Sequence, residues 1–310
     1  MRDGATRRPK RALCLVVARL DLLAGLLGTL AAAPACAGEV ACRHEGGTLT
    51  VPAVMAGIAG DYILDTGAAE SVLDETRAQA AGFESDQIAG DIRLAGHVAV
   101  DASLKIAALD VRTWNLPTPV AGVIGADALK AWVVDISYAP CRVRLSPPGE
   151  APPFHGRRLK LTWDLGRPTA PARVSDDAHE ITGRFVIATG LNVPVRLADD
   201  LAQAPGAAKL QELYPRGVWL ARLPRVTFAG ASGRDVAAGL MAPQGDVAGM
   251  LGAEVLAHFR LRFDFPAERL IVAPAAKAPK RKGPGVIRGP RNSQPRRRLS
   301  GRRCATPACS

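Results

Sequence analysis

Between Thr48 and Leu64 short apolar runs alternate with Gly57 and Gly60. This pattern predicts a β-hairpin whose second strand, Tyr62-Ile63-Leu64, runs directly into Asp65-Thr66-Gly67-Ala68. Ser71 to Gly82 is polar and alanine-rich, which predicts a turn of helix. From Ile92 to Val111 apolar and polar positions alternate around Gly96 and Asp101, predicting a second hairpin placed to close over a substrate as a flap. An apolar pair and a glycine, Val123-Ile124-Gly125, then lead through Asp127 and a short helix into the period-two stretch Trp132 to Tyr138.

The same succession occurs again. Phe185-Val186-Ile187-Ala188-Thr189-Gly190 repeats Tyr62 to Gly67 position for position, with a glycine two residues before each aromatic (Gly60 and Gly183), except that alanine replaces the aspartate. Met250-Leu251-Gly252, Glu254 and the strand Phe259 to Phe265 repeat the downstream half, and Arg142 and Arg269 fall at equivalent places. The distance from the Thr-Gly turn to Gly125 or Gly252 differs by only four residues between the copies. A proline-rich stretch, Ser146 to Pro153, lies between them. The expected organisation is therefore an N-terminal segment 1–37, a first lobe 38–146, a linker 147–156, a second lobe 157–276 and a basic tail 277–310 expected to be disordered.

Composition supports a turn-rich β protein, with 31 glycines, 24 prolines and few aromatics. The net charge of +11 changes meaning once located. The tail from Lys277 carries 11 Lys and Arg with no acid, and the first 21 residues carry six against two, leaving 23 basic and 27 acidic residues in the body. Basicity belongs to the ends, so no nucleic-acid partner is expected; the tail is a candidate for contact with an anionic surface. Arg7, Arg8, Lys10 and Arg11 precede an apolar stretch to Ala33, and Ala35-Cys36-Ala37 offers the small residues of a cleavage site. This segment reads as a secretory signal cut near Ala37 or, uncut, as an anchor; either places the body in an exported, periplasmic or extracellular compartment. Cys42 and Cys141 then flank the first copy, open to a disulfide or to two unrelated thiols.

An apolar strand ending in Asp65-Thr66-Gly67-Ala68, followed at a fixed distance by Val123-Ile124-Gly125, a short helix and a terminal strand, resembles the retropepsin-like aspartic peptidases. The resemblance covers nearly all of 45–145, with a degenerate second copy over 157–275. It implies an all-β fold of retropepsin-like (acid protease) β-barrel lobes, two tandem copies forming a pepsin-like pseudo-dimer. It also implies Asp65 as catalytic carboxylate of an aspartic endopeptidase, Thr66, Gly67 and Ala68 as its loop, Gly125 and Gly252 beneath the two loops, a peptide or protein substrate, and neither cofactor nor metal. In that chemistry two close carboxylates share a proton, one activating water while the other polarises the scissile carbonyl.

Ala188, Thr189 and Gly190 are the degenerate counterparts in the second copy. The loop can keep its cross-lobe hydrogen bonds, but the proton-sharing pair is gone if the halves face each other. Three readings follow: a homodimer through lobe 1 that brings two Asp65 side chains together, a weak or inactive pseudo-peptidase that binds extended peptides in the cleft by strand addition, or a surface-attached protein acting through its tail. Asp127 and Glu254 sit where helix capping is expected. The five histidines have no metal-ligand spacing, no Gly-x-Ser-x-Gly elbow occurs, and Trp219 is a candidate cleft residue.

Overall fold

The computed structural model describes residues 38–175, 180–198, 211–214 and 218–275. The N-terminal segment and the basic tail, with the expectations placed on them, lie outside the described residues.

Lobe 1 contains β1 (Glu39–Ala41), β2 (Arg43–Glu45), β3 (Thr48–Met55), β4 (Ile58–Leu64), β5 (Val72–Asp74), α1 (Glu75–Ala80), β6 (Gln87–Leu94), β7 (His97–Ala107), α2 (Asp110–Thr113), β8 (Gly122–Ile124), α3 (Ala126–Leu129), β9 (Val133–Tyr138) and β10 (Cys141–Ser146). Lobe 2 contains β11 (Arg157–Lys160), β12 (Thr162–Asp164), β13 (Arg167–Ser175), β14 (Glu180–Ile187), β15 (Val195–Ala198), β16 (Gln211–Tyr214), β17 (Val218–Phe228), β18 (Ala231–Met241), β19 (Gly249–Leu251), α4 (Ala253–Leu256), β20 (Phe259–Asp264) and β21 (Arg269–Pro274). The fold is all-β and two-lobed, as the repeat implies.

Among the described residues the strands form three sheets: one of seven strands in lobe 1, one of eight in lobe 2, and a shared one of six, ordered β1-β10-β9-β20-β21-β11. The lobes join where β9 and β20 run antiparallel, with Val134 opposite Phe263 and Asp135 opposite Arg262. Arg262 is buried and forks onto Asp135 with bonds of 2.5 and 2.6 Å, and donates to the Pro152 carbonyl at 2.7 Å. Losing one member would leave the other charge buried and unpaired, about 3–5 kcal/mol.

The two lobes repeat one local device. β4 pairs in parallel with β8, Tyr62 opposite Gly122, and β14 pairs in parallel with β19, Phe185 opposite Gly249. Successive strand side chains point to opposite faces. Tyr62 and Leu64 therefore enter the main core while Ile63 joins a separate cluster with Leu109, Val120 and Val123. Phe185 and Ile187 likewise enter the core, and Val186 and Ala188 pack with Leu191 on the other side. Burial on both faces is why these strands read as unbroken apolar runs.

The hairpin expected over Ile92 to Val111 is β6–β7, but it is not a flap. Its turn at Ala95-Gly96 leans on the shared sheet, where His97 lies 3.1 Å from the Leu145 carbonyl and 4.3 Å from the Trp132 ring centre. β6 also pairs with β3 and β7 with β5, which fixes both strands into the lobe wall.

Candidate functional site

Each Thr-Gly loop rests on the glycine strand below it. The Asp65 N–H donates to the Ile124 carbonyl at 3.0 Å, and the Ala126 N–H returns to the Ala68 carbonyl at 2.7 Å. In lobe 2 the Ala188 N–H donates to the Leu251 carbonyl at 2.9 Å, and the Gly252 N–H to the Pro194 carbonyl at 2.8 Å. Gly125 and Gly252 lie beneath the loops, where a side chain has no room. A Cβ on Gly125 would fall 2.6 Å from the Glu70 carbonyl oxygen, and one on Gly252 would fall 1.9 Å from that of Val193.

The loops then clasp each other. The Thr66 N–H donates to Thr189 Oγ1 at 3.1 Å, Thr189 Oγ1 donates to the Leu64 carbonyl at 2.6 Å, and Thr66 Oγ1 donates to the Ile187 carbonyl. Both threonines are fully buried, so each bond is made in a dry setting where a missing partner is costly. These bonds occupy the face of lobe 1 that a second copy of Asp65 would have to approach.

Asp65 is 4 % exposed and every contact it makes holds it in place. Its Oδ1 accepts the N–H of Gly67 at 2.7 Å from its own loop and that of Gly190 at 3.1 Å from the other lobe. Its Oδ2 is ion-paired with Nη2 of Arg112, on α2. Across from it stands Ala188, with no exposed surface; a Cβ placed on Gly67 would come within 2.4 Å of the Ala188 Cβ. A buried methyl group faces the carboxylate where a dyad needs an acid.

Arg112 is not alone. Arg196, on β15, is half-buried, has no acidic partner among the described residues, and its guanidinium is pushed down from its usual range by burial and by the charge of Arg112. The Tyr138 hydroxyl is buried with no hydrogen-bond partner among the described residues, and burial, reinforced by the Asp65 charge, pushes its phenol well up. The apolar outer side of α2 is open, with Val111 89 % and Trp114 71 % exposed.

The remaining candidates fall elsewhere. Asp127 does not precede its helix: it is in the first turn of α3 after the N-cap Gly125, and its carboxylate takes the Ser71 hydroxyl at 2.7 Å and the Ser71 N–H at 2.9 Å besides the Ala128 N–H. It ties the chain after the Asp65 loop to α3. Glu254 lies likewise in the first turn of α4, after Gly252, and is exposed. Cys42 and Cys141 form a disulfide across 99 residues, beside the β1–β10 pairing. No metal-ligand cluster occurs among the described residues. Trp219 is on β17, and its side chain lies outside the described residues.

Sequence reasoning missed Arg112 and Arg196. Arg112 carries no motif, and Arg196 is concealed by a loop one residue longer than its counterpart. No family model and no curated protein matches the chain. Among solved structures, an aspartic proteinase from Irpex lacteus is similar over 77 % of this chain and 97 % of that one, at 11 % identity and a TM-score of 0.46.

Proposed function

We propose that the chain is a pseudo-peptidase, an aspartic-peptidase architecture kept for binding extended peptides in the cleft between its lobes. One observation carries this: the group opposite Asp65 is the buried methyl of Ala188, and the free side of the carboxylate is already ion-paired with Arg112. A carboxylate so held has no partner with which to share a proton, and no acid stands ready for the leaving nitrogen. The cleft remains, with apolar clusters around Ile63 and Val186 on its two sides and the exposed apolar residues of α2 beside it. Binding there uses the main-chain and pocket recognition of an added strand. The Cys42–Cys141 disulfide supports an oxidising, exported setting.

Sedimentation equilibrium of the full chain, run beside pepstatin-sensitive cleavage of an unfolded protein, tests the reading. A monomer that binds peptides and cleaves nothing is the expected result. A dimer whose cleavage disappears with Asp65→Ala would replace it with a two-chain aspartic endopeptidase.

A further inference from the structure

Lobe 1 and lobe 2 repeat the same register around the cleft, which allows each residue of one to be set against its counterpart. In lobe 1, β5 runs antiparallel to β8 with Val72 opposite Val123 and Leu73 opposite Gly122. In lobe 2, β15 runs antiparallel to β19 with Arg196 opposite Met250 and Leu197 opposite Gly249. Gly122 and Gly249 are equivalent through their shared pairing with Tyr62 and Phe185. Arg196 therefore stands where lobe 1 has Val72.

That position is an apolar one. Val72 packs against the cluster of Ile63 and Val123, and Met250, the neighbour of Arg196, packs against the cluster of Val186 and Ala188. An arginine on this face is half-buried with no acidic partner among the described residues, and it comes near enough to Arg112 for the two cations to repel. Arg112 is in turn a third exposed and bound to Asp65 through one nitrogen. Two guanidinium groups from opposite lobes thus lie near one another, and among the described residues the one carboxylate paired with either is Asp65, on Arg112. Guanidinium forks match carboxylates in a planar, two-bonded geometry.

We propose that Arg112 and Arg196 form a carboxylate-binding site in the cleft, so that the peptide held there is acidic, presenting a Glu or Asp side chain or its own C-terminus to the pair. The proposal rests on the peptide-binding reading and adds the class of ligand. Asp65 anchors Arg112 from behind, and the incoming carboxylate supplies the second negative charge that Arg196 lacks. The Asp65–Arg112 pair is on this account part of a binding site, with the former catalytic carboxylate serving as its buttress.

The test uses the full chain and four fluorescent octapeptides, apolar apart from one central residue that is Glu or Gln, each with a free or an amidated C-terminus. Anisotropy titrations should show the Glu peptide, or the free-acid peptide, binding about tenfold or more tightly than its neutral twin, as expected for a charge-assisted pair. Which of the two neutral twins loses affinity identifies the source of the carboxylate. Arg196→Met, which gives lobe 2 an apolar residue like Val72, should abolish the difference while leaving the thermal melt in place, and Arg196→Lys should restore part of it. Equal binding of all four peptides, or a preference that survives Arg196→Met, overturns the proposal and leaves the peptide-binding reading standing. Failure of every peptide to bind overturns both.

Discussion

Replacing Asp65 by alanine should destabilise this protein, and the sign of that effect is informative. The carboxylate accepts two buried backbone N–H groups, from Gly67 at 2.7 Å and from Gly190 at 3.1 Å. Alanine leaves both without an acceptor, at about 1–3 kcal/mol each. It also frees Arg112, whose side chain is 34 % exposed, so that loss is screened and adds about 1 kcal/mol. The sum is roughly 3–7 kcal/mol, a large share of the stability of an ordinary domain. Asp65→Asn keeps an oxygen for the two N–H groups and should lose only the ion pair, about 1 kcal/mol. Urea unfolding followed by far-ultraviolet circular dichroism gives both differences from the shift in midpoint at constant slope. In a working dyad the carboxylates repel, and removing one relieves strain held for function. An Asp65→Ala protein as stable as wild type, or more stable, would therefore refute the assignment of Asp65 to a structural, Arg112-paired role.

The cross-lobe clasp should fail on Thr189→Val: the Thr66 N–H and the Leu64 carbonyl lose their partners in a buried setting, about 2–4 kcal/mol in the same urea assay, while Thr113→Val, which loses one bond near the surface, changes little. Removing the disulfide by Cys42→Ala with Cys141→Ala opens a loop across 99 residues and should cost about 4 kcal/mol, read as a fall in melting temperature that added reductant reproduces in wild type. Burial pushes the Tyr62 phenol up to about 12, so the fold is favoured while the phenol is neutral. Its contribution is complete below pH 10 and is lost as pH rises toward 12, about 1 kcal/mol between pH 10 and 11; Tyr62→Phe should flatten that part of the alkaline stability profile.

What was legible in the sequence is what local burial and repetition impose. The strands Tyr62 to Leu64 and Phe185 to Ile187 are covered on both faces, so they stand out as apolar runs, and the glycines beneath them are required by backbone contact. Copying this device makes the two-lobed arrangement readable as a repeat. The flap was misplaced because alternation identifies a hairpin without saying which end faces the cleft; that is decided by the distant pairings of β6 with β3 and β7 with β5. Arg112 could not be found from pattern, since α2 is four residues long and its direction is set by the loop that carries it. Arg196 was hidden by counting. Ungapped alignment of the copies places it against Leu73, a core position, and only the strand register moves it by one residue to the cleft position of Val72.

These residues make sense together rather than singly. A dyad of two aspartates carries about one negative charge shared over both, and its pocket must tolerate a proton between them. Here Ala188 removes one carboxylate and Arg112 neutralises the other, so the loops can pack closely with no proton to accommodate. Arg196 then adds a positive charge on the face where lobe 1 has Val72, although the body of the chain between its basic ends is slightly acidic. A positive patch set within such a body is not a by-product of overall charge, and the register shows that lobe 1 fills the equivalent place with valine. On the proposed reading, Ala188 and the two arginines together set one property, the sign of charge the cleft receives: where a two-aspartate site handles a proton, this one would hold an anion.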